Sequence, residues 1–405
     1  MIATPKHSVL NEAVWNEANK PAHAKVYIFV SSRMAACRHI PQHVGFGPLD
    51  DPKETIVSTH RLARTLALSA TLGLAATVSA PSAQADSGMQ VVQQWKIGGA
   101  GGWDYLTADS AHRLFLSRGT QVDVVDTQSG RILGTIPNTQ GVHGIALAPD
   151  LHRGFTSNGR ADSVTVFDLD SLKTVQEVKV PGHNPDAILY EPQGKHVFTF
   201  DGRSKDVTVL DARTLAVVAT IPVPDKPEFA QDDHAGHIYV NIESDPGQMV
   251  VLDSRKLTVQ STWPLPGCNS PSGLAIDRTH RRLFSVCDGS IMAVTNGENG
   301  AQVAQVPIGK GPDAAAYDEK RGLVFSSNGE GTLTVIKQES ADRYRVLQNV
   351  KTQAGARTMA LDPANGRVYL VSAQFGSPPA PTAEQPHPRP VPVPDSFTVL
   401  VVAAR

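Results

Sequence analysis

Seven positions in the 405-residue chain recur at a nearly constant interval and carry side chains able to do chemistry: Asp104, His143, Asp186, Glu228, Ser272, Asp313 and Arg357. An imidazole and three carboxylates from four consecutive copies, Asp104, His143, Asp186 and Glu228, suit a divalent cation or a cationic ligand. A divalent cation is therefore the cofactor to expect if there is one. Asp313 and Arg357 complete the candidate ligand-binding set, and Arg357 can either pair with Asp104 or hold a ligand carboxylate. The competing reading of each residue alone is that short polar side chains cap strands and satisfy turn backbone.

Whether these side chains meet depends on the elements that carry them. Eleven or twelve residues after each comes an aromatic, Phe115, Phe155, Phe198, Tyr239, Phe284, Phe325 and Tyr369, at successive spacings of 40, 43, 41, 45, 41 and 44. Each copy reads as an apolar run, an Asp or Pro turn, a second run on the aromatic, a Gly-rich turn and a third alternating run. The third runs, such as "VDVVD", "VTVFD", "VTVLD" and "MVVLD", have a period of two and so predict strands. Turn signals such as "DTQSG" and "DARTL" lead from them into a fourth strand. Four short antiparallel strands in about 42 residues is the signature of a propeller blade and excludes a helical solenoid. The last copy ends at "SFTVLVVAAR" on its third strand, and "MQVVQQWKIGG", residues 89–99, is the expected fourth. The expected fold is an all-β, seven-bladed β-propeller whose last blade is closed by the N-terminal strand of the mature chain. In such a ring the seven positions lie where the first strands begin, beside the central channel. Opposite sides are too far apart to share one ion, so two or three neighbours at most would ligate it.

The "LAxD…RLF" strand pair and the "VTVxD" strand, with "GLAID", "SNGEGTLTVI" and "GARTMALDP", resemble the YVTN-repeat propellers, and exported YncE-like proteins in particular, over residues 89–405. The resemblance implies a seven-bladed propeller in the periplasm or outside the cell. It implies no reaction, because function resides in sites and not in folds.

A second ring on the same face, Arg118, Asn158, Asp201, Ile242, Cys287, Asn328 and Ser372, follows the aromatics by three residues, at turns where short polar side chains also cap strands. Asp126, Asp168, Asp211 and Asp253 close third strands and are read as structural, because the turn needs them. Cys268 and Cys287 are an even pair expected to form a disulfide in an oxidising compartment. Residues 376–395, "GSPPAPTAEQPHPRPVPVPD", interrupt the last blade with a Pro-rich segment. It reads as a solvent linker, a flap over the channel or a strap for a partner.

His60, Arg61 and Arg64 precede an apolar run from Leu66 to Val78, and Ala83 and Ala85 form an A-x-A cleavage site. Residues 60–85 read as a signal peptide cut after Ala85, residues 1–59 as a mis-started extension or leader, and residues 86–405 as the propeller. The mature chain then keeps 29 basic and 34 acidic side chains, a formal charge of −5. That balance argues against nucleic-acid binding, and no anchor remains after cleavage. No C-x-x-C, G-x-S-x-G or H-E-x-x-H pattern is present, and the glycines of "GGAGG" match no phosphate loop. The expectation is a monomeric periplasmic or secreted binding module that recognises a small ligand, a metal or a protein through its top face and channel mouth. The alternative is a metal-dependent lactonase-like hydrolase or lyase, weakened by the lack of an isolated acid and base pair.

Overall fold

The computed structural model of the chain describes residues 88–382, 388 and 390–405. The expected leader, signal peptide and cleavage site, and part of the Pro-rich segment, lie outside the described residues.

Among the described residues the chain is all-β apart from one 3-10 turn, Pro149–Leu151. The strands are β1 (Met89–Lys96), β2 (Leu106–Ala108), β3 (Arg113–Ser117), β4 (Gly119–Asp126), β5 (Ile132–Ala148), β6 (Arg153–Asn158), β7 (Ser163–Asp168) and β8 (Thr174–Lys179). There follow β9 (Pro185–Glu191), β10 (His196–Asp201), β11 (Asp206–Asp211), β12 (Val217–Pro222), β13 (Pro227–Asp232), β14 (His237–Ile242), β15 (Gln248–Asp253) and β16 (Thr258–Pro264). The remainder are β17 (Asn269–Asp277), β18 (Arg282–Asp288), β19 (Ile291–Asn296), β20 (Gln302–Pro307), β21 (Pro312–Asp318), β22 (Leu323–Asn328), β23 (Thr332–Ser340), β24 (Arg343–Lys351), β25 (Met359–Asp362), β26 (Arg367–Ser372) and β27 (Thr398–Ala404).

Sequential strands pair into four-stranded antiparallel sheets, β9 to β12, β13 to β16, β17 to β20 and β21 to β24. The 17-residue β5 joins two such units into one seven-stranded sheet. Its first part pairs with β4 and its last part, Val142–Ala148, with β6. The N-terminal β1 pairs with β27, from Met89 opposite Ala404 to Lys96 opposite Thr398, and so completes the sheet β1-β27-β26-β25. The innermost strands touch in the order β2, β5, β9, β13, β17, β21, β25 and back to β2. This cycle is made by packing, since no hydrogen-bonded ladder links one sheet to the next beyond β5.

The repeated aromatic is the anchor of each unit. Phe115, Phe155, Phe198, Tyr239, Phe284, Phe325 and Tyr369 are at most 4% exposed. Each sits on the second strand of its unit, as Phe198 does between Leu189 and Val209. Burying a ring of this size contributes roughly 2–3 kcal/mol, and alternation then sends the residues on either side to the opposite face. The outermost strands are mostly exposed, as β8 shows, so the polar consequence of the fold is concentrated at the inner strand ends.

Candidate functional site at the inner strand ends

All seven periodic positions lie at or just before the start of an innermost strand, except His143 and Ser272, which lie within longer strands. Proline opens three of these strands. Pro185, Pro227 and Pro312 immediately precede Asp186, Glu228 and Asp313, Pro271 precedes Ser272 within β17, and all four prolines are buried. A proline at a strand start needs no ladder partner for a missing N–H, and its fixed φ sets the direction of the next residue.

A second support comes from the neighbouring unit, at the position two residues after the aromatic. Ser157 Oγ accepts from Gly144 N at 2.9 Å and donates to the carbonyl of Asp186. Asn241 Nδ2 donates to Ser272 O at 2.8 Å, and Ser327 Oγ donates to the carbonyl of Arg357. In the first unit Ser117 Oγ accepts from Asp104 N at 2.9 Å. Sequence reasoning missed these residues. Their signal was a recurrent small polar residue inside a hydrophobic strand.

The side chains converge in three groups. His143 Nδ1 lies 2.6 Å from Asp104 Oδ2 and 3.7 Å from Asp186 Oδ1. One ligand atom from each of these residues falls within 4.8 Å of the others, the geometry of a candidate metal cluster. Glu228 belongs to a different group: Lys226 Nζ bridges it at 2.7 Å and Glu243 at 2.6 Å. Sequence reading passed over Lys226, which lies two residues before the ring position. Across the site Arg357 Nε meets Asp313 Oδ2 at 3.4 Å, and Ser272 Oγ donates to Asp313 Oδ1 at 3.0 Å. Arg357 is therefore placed against Asp313, and of the four residues read as one donor set three are brought together.

The three groups share one electrostatic field. Burial and then the charge of Asp186 raise the Glu228 carboxyl well above the usual range, against the opposing pull of Lys226. Burial alone would lower Lys226, but Glu228, Asp186 and Glu243 outweigh it and hold the ammonium firmly charged. Asp313 is raised by burial, with Arg357 opposing, while Asp313 in turn raises Arg357. Tyr105 lies among them. Burial and the charges of Asp186, Glu228, Asp104 and Asp313 keep its phenol neutral, and its ring stands 5.3 Å from that of Phe229, which comes from a non-adjacent unit. The site is a polar cluster rich in negative charge, with the aromatic pair Tyr105 and Phe229 among its residues. The arrangement can hold a cation, or a ligand that presents one.

The other periodic residues serve the frame. Asn158 Nδ2 donates to Thr165 Oγ1 at 2.8 Å, and Asn328 Nδ2 to Thr334 Oγ1 at 3.0 Å. Asp201 takes the same place in its unit and accepts from Thr208 Oγ1 at 2.7 Å. Arg118 is buried against Asp123 at 3.4 Å and over the Phe397 ring at 3.7 Å. Ile242 and Cys287 are fully buried, and Ser372 Oγ donates to Ala354 O at 2.7 Å. Cys268 and Cys287 form a disulfide, Cα–Cα 5.3 Å, inside the hydrophobic cluster around Tyr239 and Leu274. The base of the Pro-rich segment is pinned by Gly376 N to Val391 O at 2.9 Å and Val393 N to Gln374 O at 2.7 Å. Phe375 there packs on Trp103, 6.0 Å between centroids, beside Asp104.

Comparison with known proteins gives the fold and nothing finer. No family model matches the chain, and no curated protein matches it. Among solved structures it is similar to Kuenenia stuttgartiensis hydrazine synthase, 17% identical, covering 66% of this chain and 92% of that one with a TM-score of 0.59. It is also similar to U3-55K, at 11% identity, 77% and 99% coverage and a TM-score of 0.64. The WD40 repeats of RRP9 match at 11% identity, 78% and 97% coverage and a TM-score of 0.63. The chain has the architecture of β-propeller repeat proteins, and at these identities that is all the likeness carries.

Proposed function

We propose that the chain is a seven-bladed, exported propeller of the YncE-like kind that acts as a binding module through its channel mouth. The cycle of inner strands supports the blade count, with β5 read as the outer strand of one blade and the inner strand of the next. The observation that carries the binding reading is convergence. Asp104, His143, Asp186, Glu228, Asp313 and Arg357 come from six different repeats; the charges of Asp104 and Asp186 act on Asp313, Arg357 and Glu228, and His143 meets Asp104 and Asp186 directly. A cationic small ligand, a metal ion or a basic segment of a protein partner fits that field, and a nucleic acid does not.

The test has two arms. The purified chain is screened by thermal shift against divalent metals, organic amines and amino acids, and the same screen is run on the double variant His143→Ala/Asp186→Ala. A stabilising compound whose effect disappears in the variant supports the reading, and one that stabilises both proteins equally places binding elsewhere. N-terminal sequencing of periplasmic material should begin near Asp86, and recovery of residues 1–85 would refute export by the proposed signal.

The hydrogen bond of 2.6 Å between His143 and Asp104 favours one second reading. A carboxylate that orients an imidazole gives a general base, as a lactonase-like hydrolase or lyase requires. Turnover of simple lactones that is lost in His143→Ala would establish it, and no turnover across a lactone panel would remove it.

A further inference from the structure

Resting on the mouth-binding reading, we propose that Asp104, His143 and Asp186 form a mononuclear site for a divalent transition metal of the Zn²⁺ class, open on its channel side to a carboxylate ligand. The first ground is convergence of donors. His143 Nδ1 lies 2.6 Å from Asp104 Oδ2 and 3.7 Å from Asp186 Oδ1, and one ligand atom from each of the three residues falls within 4.8 Å of the others. The Asp186 side chain is only 6% exposed, so this carboxylate reaches the cluster from a buried position.

The second ground is donor chemistry. Ligand atoms around such an ion stand roughly 3 Å apart, since metal–nitrogen and metal–oxygen bonds are about 2.0–2.2 Å. Nδ1 at 2.6 Å from one carboxylate oxygen and 3.7 Å from the other brackets that value. The ion would take the Nδ1 lone pair, and the hydrogen bond between His143 and Asp104 would be exchanged for shared coordination. An imidazole nitrogen with two carboxylates favours Zn²⁺, Co²⁺ or Mn²⁺ over Ca²⁺, which asks for 6–8 oxygens. An organic ammonium gains nothing from the ring nitrogen's lone pair that another carboxylate would not supply better.

The third ground is support. The backbone of Asp186 is held by Ser157, that of Asp104 by Ser117, and the far edge of the imidazole lies against Gly159. Three protein donors leave a position for an outside ligand. Arg357, whose side chain is 54% exposed and raised in pKa by Asp313 and also by Asp104, supplies the cation that a metal-bound carboxylate would reach.

The experiment is calorimetric titration of the EDTA-treated full chain with ZnCl₂, with CaCl₂ as the contrast. The same titration is run on His143→Gln, Asp186→Asn and, as a control, Asp168→Asn at a turn carboxylate outside the site. Melting curves confirm that each variant is folded. The expected result is one Zn²⁺ per chain, weakened at least ~100-fold in His143→Gln and Asp186→Asn and within ~3-fold of the parent in Asp168→Asn, with Ca²⁺ much weaker. Co²⁺ substitution gives a second readout. Visible bands of a four- or five-coordinate ion should shift when acetate is added, and the shift should shrink in Arg357→Gln.

Zn²⁺ binding that survives both His143→Gln and Asp186→Asn overturns the proposal, as does the absence of any bound metal. In the latter case an amine or protein partner whose binding is lost in His143→Gln would leave the wider mouth-binding reading standing. Only the failure of all three classes of ligand removes both.

Discussion

Two populations of carboxylate in this molecule differ in the sign of what the fold does to them. At the turns after the third strands, Asp126, Asp168, Asp211 and Asp253 accept from backbone N–H groups two or three residues ahead, as in Asp168 with Ser171 N at 2.8 Å and Asp253 with Lys256 N at 2.9 Å. Those bonds hold all four below the ordinary range. The Ser129 hydroxyl leads at Asp126 and the Ser171 hydroxyl at Asp168, while backbone donors lead at Asp211 and at Asp253, which falls to about 2. At the mouth, burial pushes Glu228 and Asp313 the other way. A turn carboxylate serves one loop and recurs because the loop recurs. A mouth carboxylate faces the carboxylates of other repeats, and the repeat varies there from Asp to His, Glu, Ser and Arg.

Asp201 sharpens the comparison, because it recurs in position and yet is raised, to about 8, chiefly by burial, with Thr208 and Thr199 opposing and Asp206 adding to the rise. Its counterparts Asn158 and Asn328 are amides that donate to a threonine, and a protonated Asp201 is their near-isostere. The sign follows from linkage. The folded state holds a proton that the unfolded state releases near pH 3.8, so this group's contribution declines as pH rises from about 4 towards 8. The slope is on the order of 1.4 kcal/mol per pH unit within that window. Asp201→Asn should abolish that part of the slope and raise stability at pH 8 by several kcal/mol, on the order set by that slope. Denaturant unfolding of parent and variant at pH 5 and pH 8 measures it, and an equal difference at both pH values would show that Asp201 ionises normally. The turn carboxylates predict the reverse trend at the acid end. Stability from Asp253 is present above its unfolded pKa and lost as pH falls through about 2.

The next largest effect should separate the two populations by function. His143→Ala/Asp186→Ala should weaken binding of the mouth's ligand at least ~100-fold, about 2.7 kcal/mol, with little change in melting. Asp168→Ala/Asp211→Ala should leave binding alone and lower the melting temperature by roughly 2–6 °C through lost turn hydrogen bonds. Calorimetry and differential scanning of the parent and the two double variants decide it. The opposite pattern would make the recurrent acids the functional ones.

The periodic aromatics and the alternating third strands made the four-stranded units legible in the sequence, because burial of Phe198 or Phe325 between two strands imposes a spacing that can be counted. The position of the mouth residues could be counted for the same reason. Their pairing could not. Arg357 meets Asp313 and not Asp104 although β25 touches both β21 and β2, so adjacency does not choose between the two acids and the side-chain rotamer does. Lys226 escaped because it is outside the repeat register, yet it is the cation that meets Glu228, at 2.7 Å. Ser157, Asn241 and Ser327 looked like ordinary strand residues, since a hydroxyl or amide facing the next unit differs from one facing solvent only in three dimensions.

The smallest effect tests whether the placing of the imidazole matters beyond its presence. Gly159 follows Asn158 at the end of β6, and its φ is one that alanine can adopt, so a methyl group there brings no backbone strain. It does bring a collision: an added Cβ would lie 2.7 Å from His143 Nε2 and 2.8 Å from Asn184 Oδ1. The Asn184 backbone is already held at positive φ with its N–H on Asp162 Oδ1 at 2.8 Å, so relief falls on the two side-chain ends, the Asn184 amide and the imidazole. Any rotation of the imidazole that relieves its contact carries Nδ1 away from its present 2.6 Å and 3.7 Å from Asp104 and Asp186. Gly159→Ala should therefore weaken mouth binding by roughly 10-fold, about 1.4 kcal/mol, while keeping every titratable group. Gly102→Ala is the matched control, because an added Cβ there meets nothing within 4 Å, and its affinity should equal the parent's. Equal affinity in Gly159→Ala as well would mean that charge alone, and not the geometry of the three donors, holds the ligand.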